Sequence, residues 1–304
     1  MSSMRDSASR IVCCLLLVVF GRVAVSAADE PHGFRALDLG ATLSPAALAE
    51  RLADKRVVFV GEMHTRYGDH LNQLAIIEQL YARDPDIAIG VEYLQQRFQP
   101  KVDDFIAGRS TEREFLRDTE YYSGWGYDYR LYAPIFRFAR EHRIPVRALN
   151  VPPSLPAAVA KTGVEGLSPE QRATLPKHTE PASEAYKAEL RKAFDAHGPG
   201  ERQFDRFVEA QLVWDEGMAE SAAEYLDANP GRRMVVLVGS GHLAFGYGIP
   251  QRLARRTNAP YALVLSGERE LEPGIADYVL LNNSLVATIL GKGHVNCEIL
   301  IRHT

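Results

Sequence analysis

Short, almost wholly apolar runs alternate along this chain with longer stretches in which apolar residues recur every three or four positions. Arg56 to Val60 (RVVFV), Ile87 to Val91 (IAIGV), Val146 to Leu149, Met234 to Val238 (MVVLV) and Tyr261 to Leu265 (YALVL) are the short runs. Continuous hydrophobicity of that length, rich in β-branched residues, predicts strands buried on both faces, as in a parallel sheet covered by helices. Between the first two runs Leu71, Leu74, Ile77 and Tyr81 have helical spacing, and before the third Tyr132, Ile135, Phe136 and Ala139 do the same. The pattern is βαβαβ, and the expected fold class is α/β: a mainly parallel open sheet flanked by helices. Asp277 to Leu281 and Glu298 to Ile301 are weaker candidates for edge strands.

Between about residues 152 and 200 the strand signal disappears, and proline and charge become frequent. Ser168-Pro169-Glu170-Gln171 carries a capping box with proline in the first turn, and Ser183 to Ala196, stopped by Gly198, reads as a second short helix. This segment is expected to be a helical insertion that caps one edge of the sheet. A long helix from about Arg202 to Ala228 then leads back to the strand at Met234.

The first 27 residues have a different pattern. Arg5 and Arg10 precede an apolar run from Ile11 to Phe20, and Val25-Ser26-Ala27 ends it with small residues, which reads as a secretory signal cleaved after Ala27 or Ala28. Ten apolar residues are about half of what crosses a bilayer, so no membrane span is expected. Cys13 and Cys14 lie inside the run rather than behind the cleavage point, which argues against a lipid anchor. The expected product is residues 28–304, a single α/β domain in the periplasm or outside the cell. Loss of Arg5, Arg10, Arg22 and Asp6 leaves it 32 basic and 38 acidic residues, a formal charge of −6, which disfavours nucleic acid as a partner. Only Cys297 remains, so no intramolecular disulfide is possible and stability must come from the core.

Candidate chemistry gathers behind the strands. The first runs into Gly61-Glu62-Met63-His64, the second into Glu92, the third into Asn150 and the fourth into Gly239-Ser240-Gly241-His242. In an open parallel sheet the carboxyl ends lie along one edge, where ligands bind. Any one of these residues alone is as well explained by a hydrogen bond to a neighbouring loop; four strand ends together mark a site. On the long helix Phe204, Val208, Gln211, Asp215, Met218, Ala222 and Tyr225 form one stripe, so Gln211 and Asp215 occupy a core-facing line, and a buried carboxylate there needs a partner. The strand-end histidines are the expected partners; Trp214, one position off the stripe, is expected only to pack. Tyr121 to Arg130 (YYSGWGYDYR) is the most aromatic stretch; it reads as a loop, with Asp128 capping the next helix. It either packs over the core or forms a flat wall for a planar ligand, with Tyr127 or Tyr129 offering a phenolate to iron.

These motifs, together with Ala210-Gln211, Trp214-Asp215-Glu216 and Met218-Ala219, resemble the ChaN-like family of the haem-binding uptake and Tiki superfamily, over about residues 45 to 282. The resemblance implies a ChaN/EreA-like α/β fold with a helical cap, and a link to haem or iron acquisition at the cell envelope, with haem or iron as ligand and envelope uptake components as possible partners. It nominates Glu62, His64, Glu92 and His242 as the functional set, with Asn150, Gln211 and Asp215 behind them. On the haem reading, Tyr127 and Tyr129 are candidate ligands, and Arg66, Arg97 and Arg130 are available to propionates. A second reading is a peptidase-like hydrolase in which Glu62, His64, Glu92 and His242 bind a divalent metal such as zinc, or activate water directly. A third is a catalytically silent envelope protein.

Overall fold

The structure is a computed structural model that describes residues 42–196, 204–267 and 272–281. The expected signal segment, Gly198 and the candidate strand at Glu298 to Ile301 lie outside the described residues. The chain divides into Met1–Thr42 and Leu43–Thr304, and the fold below is that of the second unit.

In chain order the elements are α1 (Pro45–Arg51), β1 (Val57–Glu62), α2 (Tyr67–Arg83), β2 (Ile87–Gln95), α3 (Gln99–Ile106), α4 (Glu112–Asp118), α5 (Tyr121–Gly124), α6 (Ala133–Glu141), β3 (Val146–Asn150), α7 (Ser154–Thr162), α8 (Pro169–Arg172), α9 (Glu184–Ala196), α10 (Phe204–Ala228), β4 (Arg233–Gly239), α11 (Ile249–Arg256), β5 (Tyr261–Ser266) and β6 (Tyr278–Leu280). The strands form one sheet in the order β3-β2-β4-β1-β5-β6, and every pairing is parallel. β4, last of the first four in sequence, inserts between β1 and β2. The register pairs Glu62 with Gly239, and Val91 with Leu237. The carboxyl ends of β1, β4 and β2 are therefore neighbours, and the Gly-x-x-His segments after β1 and β4 lie side by side.

The two faces are buried differently. Val58, Val60, Ile87, Ile89 and Val91 pack beneath α1, α2, α3 and α6 with Phe105, Phe115, Tyr132 and Phe136, while Val57, Phe59, Met234, Val236 and Val238 pack against Met218, Ala219, Ala222 and Leu226 of α10. Alternation along the strands then sends Glu62, in step with Val58 and Val60, to the α2 face, and Glu92, out of step with Ile89 and Val91, to the α10 face.

Two expectations are corrected. Glu92 lies within β2, which continues to Gln95 because Gln95 still pairs with Asn150 of β3 across a register shift. The stretch from Tyr121 is partly helical, as α5 and a single turn at Tyr129–Leu131 that Asp128 caps by accepting from Arg130 N at 2.9 Å. The insertion is held through α10. Leu155, Val159 and Leu167 pack on Ala210 and Val213, and Ala182, Tyr186 and Leu190 on Val208 and Leu212, so it rides on α10. The capping box at Ser168 forms with both of its bonds. Among the described residues the long helix runs over Phe204–Ala228, Arg202 lying outside them, and the edge strand expected at Asp277 to Leu281 is β6. Among the described residues no helix is long and apolar enough to cross a membrane.

Candidate functional site

Glu62 closes β1 with its side chain 1% exposed and meets three polar neighbours. His64 Nδ1 lies 2.8 Å from Glu62 Oε1, the Tyr132 hydroxyl donates to the same oxygen at 3.3 Å, and His70 Nδ1 stands 2.5 Å from Oε2 as an ion-pair contact rather than an aligned hydrogen bond. His70 comes from the first turns of α2, and its Nε2 lies 3.2 Å from the backbone oxygen of His64, which ties the loop to the helix. Burial alone would raise the Glu62 pKa, yet the contacts from His64 and His70 hold it below the ordinary carboxylate value. The converse holds for His70: burial disfavours its charge, but Glu62 raises its pKa.

On the other face Glu92 Oε2 accepts from Gly239 N at 2.6 Å, and Glu92 Oε1 lies 3.3 Å from His242 Nε2. His242 Nδ1 is 2.6 Å from Asp215 Oδ1, and the Gln211 amide is 2.9 Å from the same nitrogen. Asp215 is fully buried, and the Tyr186 hydroxyl of the insertion donates to its Oδ2 at 2.6 Å. Burial would lower the His242 pKa, but Glu92 and Asp215 on its two nitrogens raise it to about 10. Glu92 is correspondingly held below its ordinary value despite its burial. This half of the site sets one imidazole between two acidic side chains.

His64 joins the halves. A Cβ on Gly239 would stand 2.8 Å from His64 Cε1 and 3.2 Å from His64 Nε2, so the ring lies directly over that glycine, beside Glu92. Only a residue without a side chain lets the β1 loop close over the end of β4. The other side of the His64 ring meets Trp125 at 4.7 Å and Tyr127 at 4.9 Å between centroids. Trp125 Nε1 donates to the Tyr132 hydroxyl at 3.0 Å, which links the aromatic stretch to Glu62.

Glu62, His64, Glu92 and His242 thus converge, with Gln211 and Asp215 behind His242 as the helical stripe implied. His70, Tyr132, Trp125 and Tyr186 complete the cluster and were not singled out by sequence. Three expectations about ligands change. No group of three or more His, Cys, Asp or Glu among the described residues is arranged to hold a metal ion. The carboxylate oxygens face imidazoles or the Gly239 N–H, and both Nδ1 atoms face carboxylates, so the proposed zinc set is satisfied internally. Tyr129 is 2% exposed and packed among Phe115, Tyr121 and Phe136, and burial drives its phenol pKa upward, so it offers no phenolate to iron. Arg66, Arg97 and Arg130 each lie against an acid, namely Asp69, Glu120 and Asp128. Tyr127 is half-buried on the His64 ring, and Met63, Tyr67 and Tyr122 are exposed by 53%, 49% and 57%.

A family model described as haem-binding uptake, Tiki superfamily, ChaN, matches residues 48–253, more than half of the chain. The chain belongs to this ChaN family. Among solved structures it resembles ChaN of Campylobacter jejuni, whose title describes cofacial haem binding, with a TM-score of 0.62 at 18% identity over 76% of this chain and 89% of that one. At that identity the likeness shows the shared fold. A mutant of erythromycin esterase EreC in its open conformation matches with a TM-score of 0.44 at 16% identity, over 72% of this ChaN-family chain and 71% of the esterase. The type III effector HopBA1 matches with a TM-score of 0.44 at 13% identity, over 77% and 92% of the two chains. No curated protein sequence matches the chain.

Proposed function

We propose that this ChaN-family protein is exported and binds haem in haem or iron uptake at the cell envelope. The family assignment across residues 48–253 carries this reading. The donor set fits haem in one place and fails in another. Tyr129 is sealed in the core, whereas Tyr127 borders the exposed side of His64, near the edge where Met63 is open to solvent. The macrocycle would lie on that surface with Tyr127 as the candidate iron ligand and the Arg130 guanidinium, 89% exposed though paired with Asp128, available to a propionate. When bound, haem would supply the iron; the chain's own part is to present an aromatic wall and a phenol beside a fixed imidazole.

The experiment is a haem titration of the purified protein followed in the Soret band. A saturable shift that weakens in Tyr127→Phe supports the reading, and no shift at any ratio of haem to protein refutes it.

The arrangement of the two histidines favours a second reading, metal-free hydrolysis. His64, with Nδ1 held by Glu62, keeps Nε2 as its free nitrogen and would be the general base, while His242, held as a cation between Asp215 and Glu92, would supply positive charge beside it. Ester or amide turnover by the same sample, lost in His64→Asn, would favour it.

A further inference from the structure

One cavity adjoins the site without being used by either histidine. It has a volume of about 20 Å³ and lies at the carboxyl ends of β2 and β3 beneath α5, with Glu92, Tyr93, Gln95, Tyr121, Trp125 and Asn150 among its lining. That is room for a single water-sized group. Its polar lining is incompletely satisfied. Asn150 Oδ1 is buried without a hydrogen-bond partner, and the Tyr93 and Tyr121 hydroxyls, in side chains 4% and 1% exposed, have none either. Native interiors seldom leave such groups unpaired, so each points to something that fills the space.

The charge around the cavity selects what that is. Glu92 presents a carboxylate whose partners are the Gly239 N–H and His242, and His242 is shared with a second acidic side chain, Asp215. Glu120, which also lines the space, is paired with Arg97, and Arg97 Nε donates to Gln95 Oε1, so no cation of this wall is left over to welcome an anion. Trp125 adds an aromatic ring at the wall, which favours a cation over its face. At Gly124 a Cβ would stand 2.6 Å from the Gln95 amide nitrogen, so α5 lies close over this wall.

We propose that this cavity is a subsite for the terminal primary ammonium of a small molecule or peptide, whose stem leads outward past Trp125. An ammonium has three donors and no acceptor, and the lining includes the acidic Glu92 and Asn150, whose Oδ1 has no hydrogen-bond partner. A carboxylate would meet Glu92 head on. The subsite does not rest on the haem reading, because Tyr127, Arg130 and Met63, the residues assigned to the haem surface, do not line the cavity.

Methylammonium is the smallest probe, and the indole Nε1–H resonance of Trp125, assigned by its survival in Trp214→Phe, is the reporter. Titration of the ¹⁵N-labelled full-length chain should give a saturable shift with methylammonium, a weaker one with acetamide and none with acetate. Asn150→Leu removes an acceptor and fills the space, and should weaken methylammonium by about tenfold or more, the size of one lost hydrogen bond to a charged group. Asn150→Asp should tighten it. The methylammonium titration reads the subsite whether or not the same sample shows a Soret shift with haem, which separates failure of the subsite from failure of the haem reading. No saturable shift with methylammonium, or an equal shift with acetate, would each overturn the proposal. Should Asn150→Leu prove unfolded by circular dichroism, the direction of change in Asn150→Asp decides: weaker methylammonium binding overturns it.

Discussion

The halves of the site are built in opposite ways from similar parts. Around Glu62 the partners come largely from one loop and the helix behind it: His64 is two residues on and His70 eight, with Tyr132 the one distant contributor. Around His242 each partner comes from elsewhere, Glu92 from β2, Asp215 and Gln211 from α10 and Tyr186 from the insertion. The first half gives one carboxylate two imidazoles, and the second gives one imidazole two carboxylates. Stoichiometry therefore sets their charge: His242 is held as a cation up to about pH 10, while Glu62 is an anion held below its usual range. A local cluster can form as soon as α2 docks on β1. The distributed one requires the sheet order, the long helix and the insertion all to be in place, so it reports on the whole fold.

The largest expected effect comes from removing the hub of the local half. Glu62→Ala leaves His70, 1% exposed, and the Tyr132 hydroxyl without their acceptor in the core between α2 and α6. Breaking a buried pair by deleting one partner costs about 3–5 kcal/mol, and urea unfolding should show a loss of that order. A loss below about 1 kcal/mol, the size of a surface change, would mean that the pocket relaxes and that Glu62 is not a hub.

The same contrast explains what could be read in the sequence. The strands were legible because both faces of this sheet are covered, which makes each strand a continuous apolar run, and the strand-end residues followed from that. Asp215 was legible because a carboxylate on a core-facing stripe must find a partner, and its partner is one of the two histidines expected. His70 and Tyr132 were not singled out because they carry apolar-periodic helices in which a ring reads as packing. Tyr186 gave no signal at all: its role is set by how α9 lies on α10, a tertiary fact without a local pattern. The metal expectation failed for a related reason. Ligand types at strand ends say which groups meet, but not that each will satisfy another.

The next effect sharpens the comparison through pH. His242 holds its proton to about 10 in the folded chain against 6.5 for the ordinary side chain, so between those values the folded state binds more protons than the unfolded one. Its contribution to stability is complete below pH about 6.5 and is lost as pH rises through about 10. The carboxylates act on the acid side: Glu62 and Glu92, both lowered, contribute above their ordinary value of 4.5 and lose that contribution as pH falls. Thermal melts of Asp215→Asn should show an alkaline decline that begins at the same pH, about 6.5, but is smaller and ends at a lower pH than in wild type, with the acid limb retained. The alkaline slope that remains belongs in part to His70, whose pKa is also raised, so it measures the local half separately. An unchanged alkaline limb would show that Asp215 does not hold the charge on His242. The same variant should stay folded and lose ligand affinity.

The smallest effect is the most specific to the distributed half. Tyr186→Phe removes one oxygen from a side chain 2% exposed and leaves Asp215 Oδ2 without its 2.6 Å donor, while the ring keeps its packing with Leu190, Val208 and Leu212. An unsatisfied buried acceptor costs about 1–3 kcal/mol, and that loss should appear in urea unfolding. A role limited to anchoring the insertion would end there. As a positioning residue, Tyr186 acts through Asp215 on His242: with the phenol gone, Asp215 Oδ2 is free to turn, and the contact at His242 Nδ1 loses its fixed direction. The imidazole resonances of His242 should therefore move in Tyr186→Phe, and those of His70, which shares no partner with this chain of contacts, should not. If both histidines shift equally, the two halves are one network and the contrast between them fails; if neither shifts, Tyr186 only fastens α9 to α10.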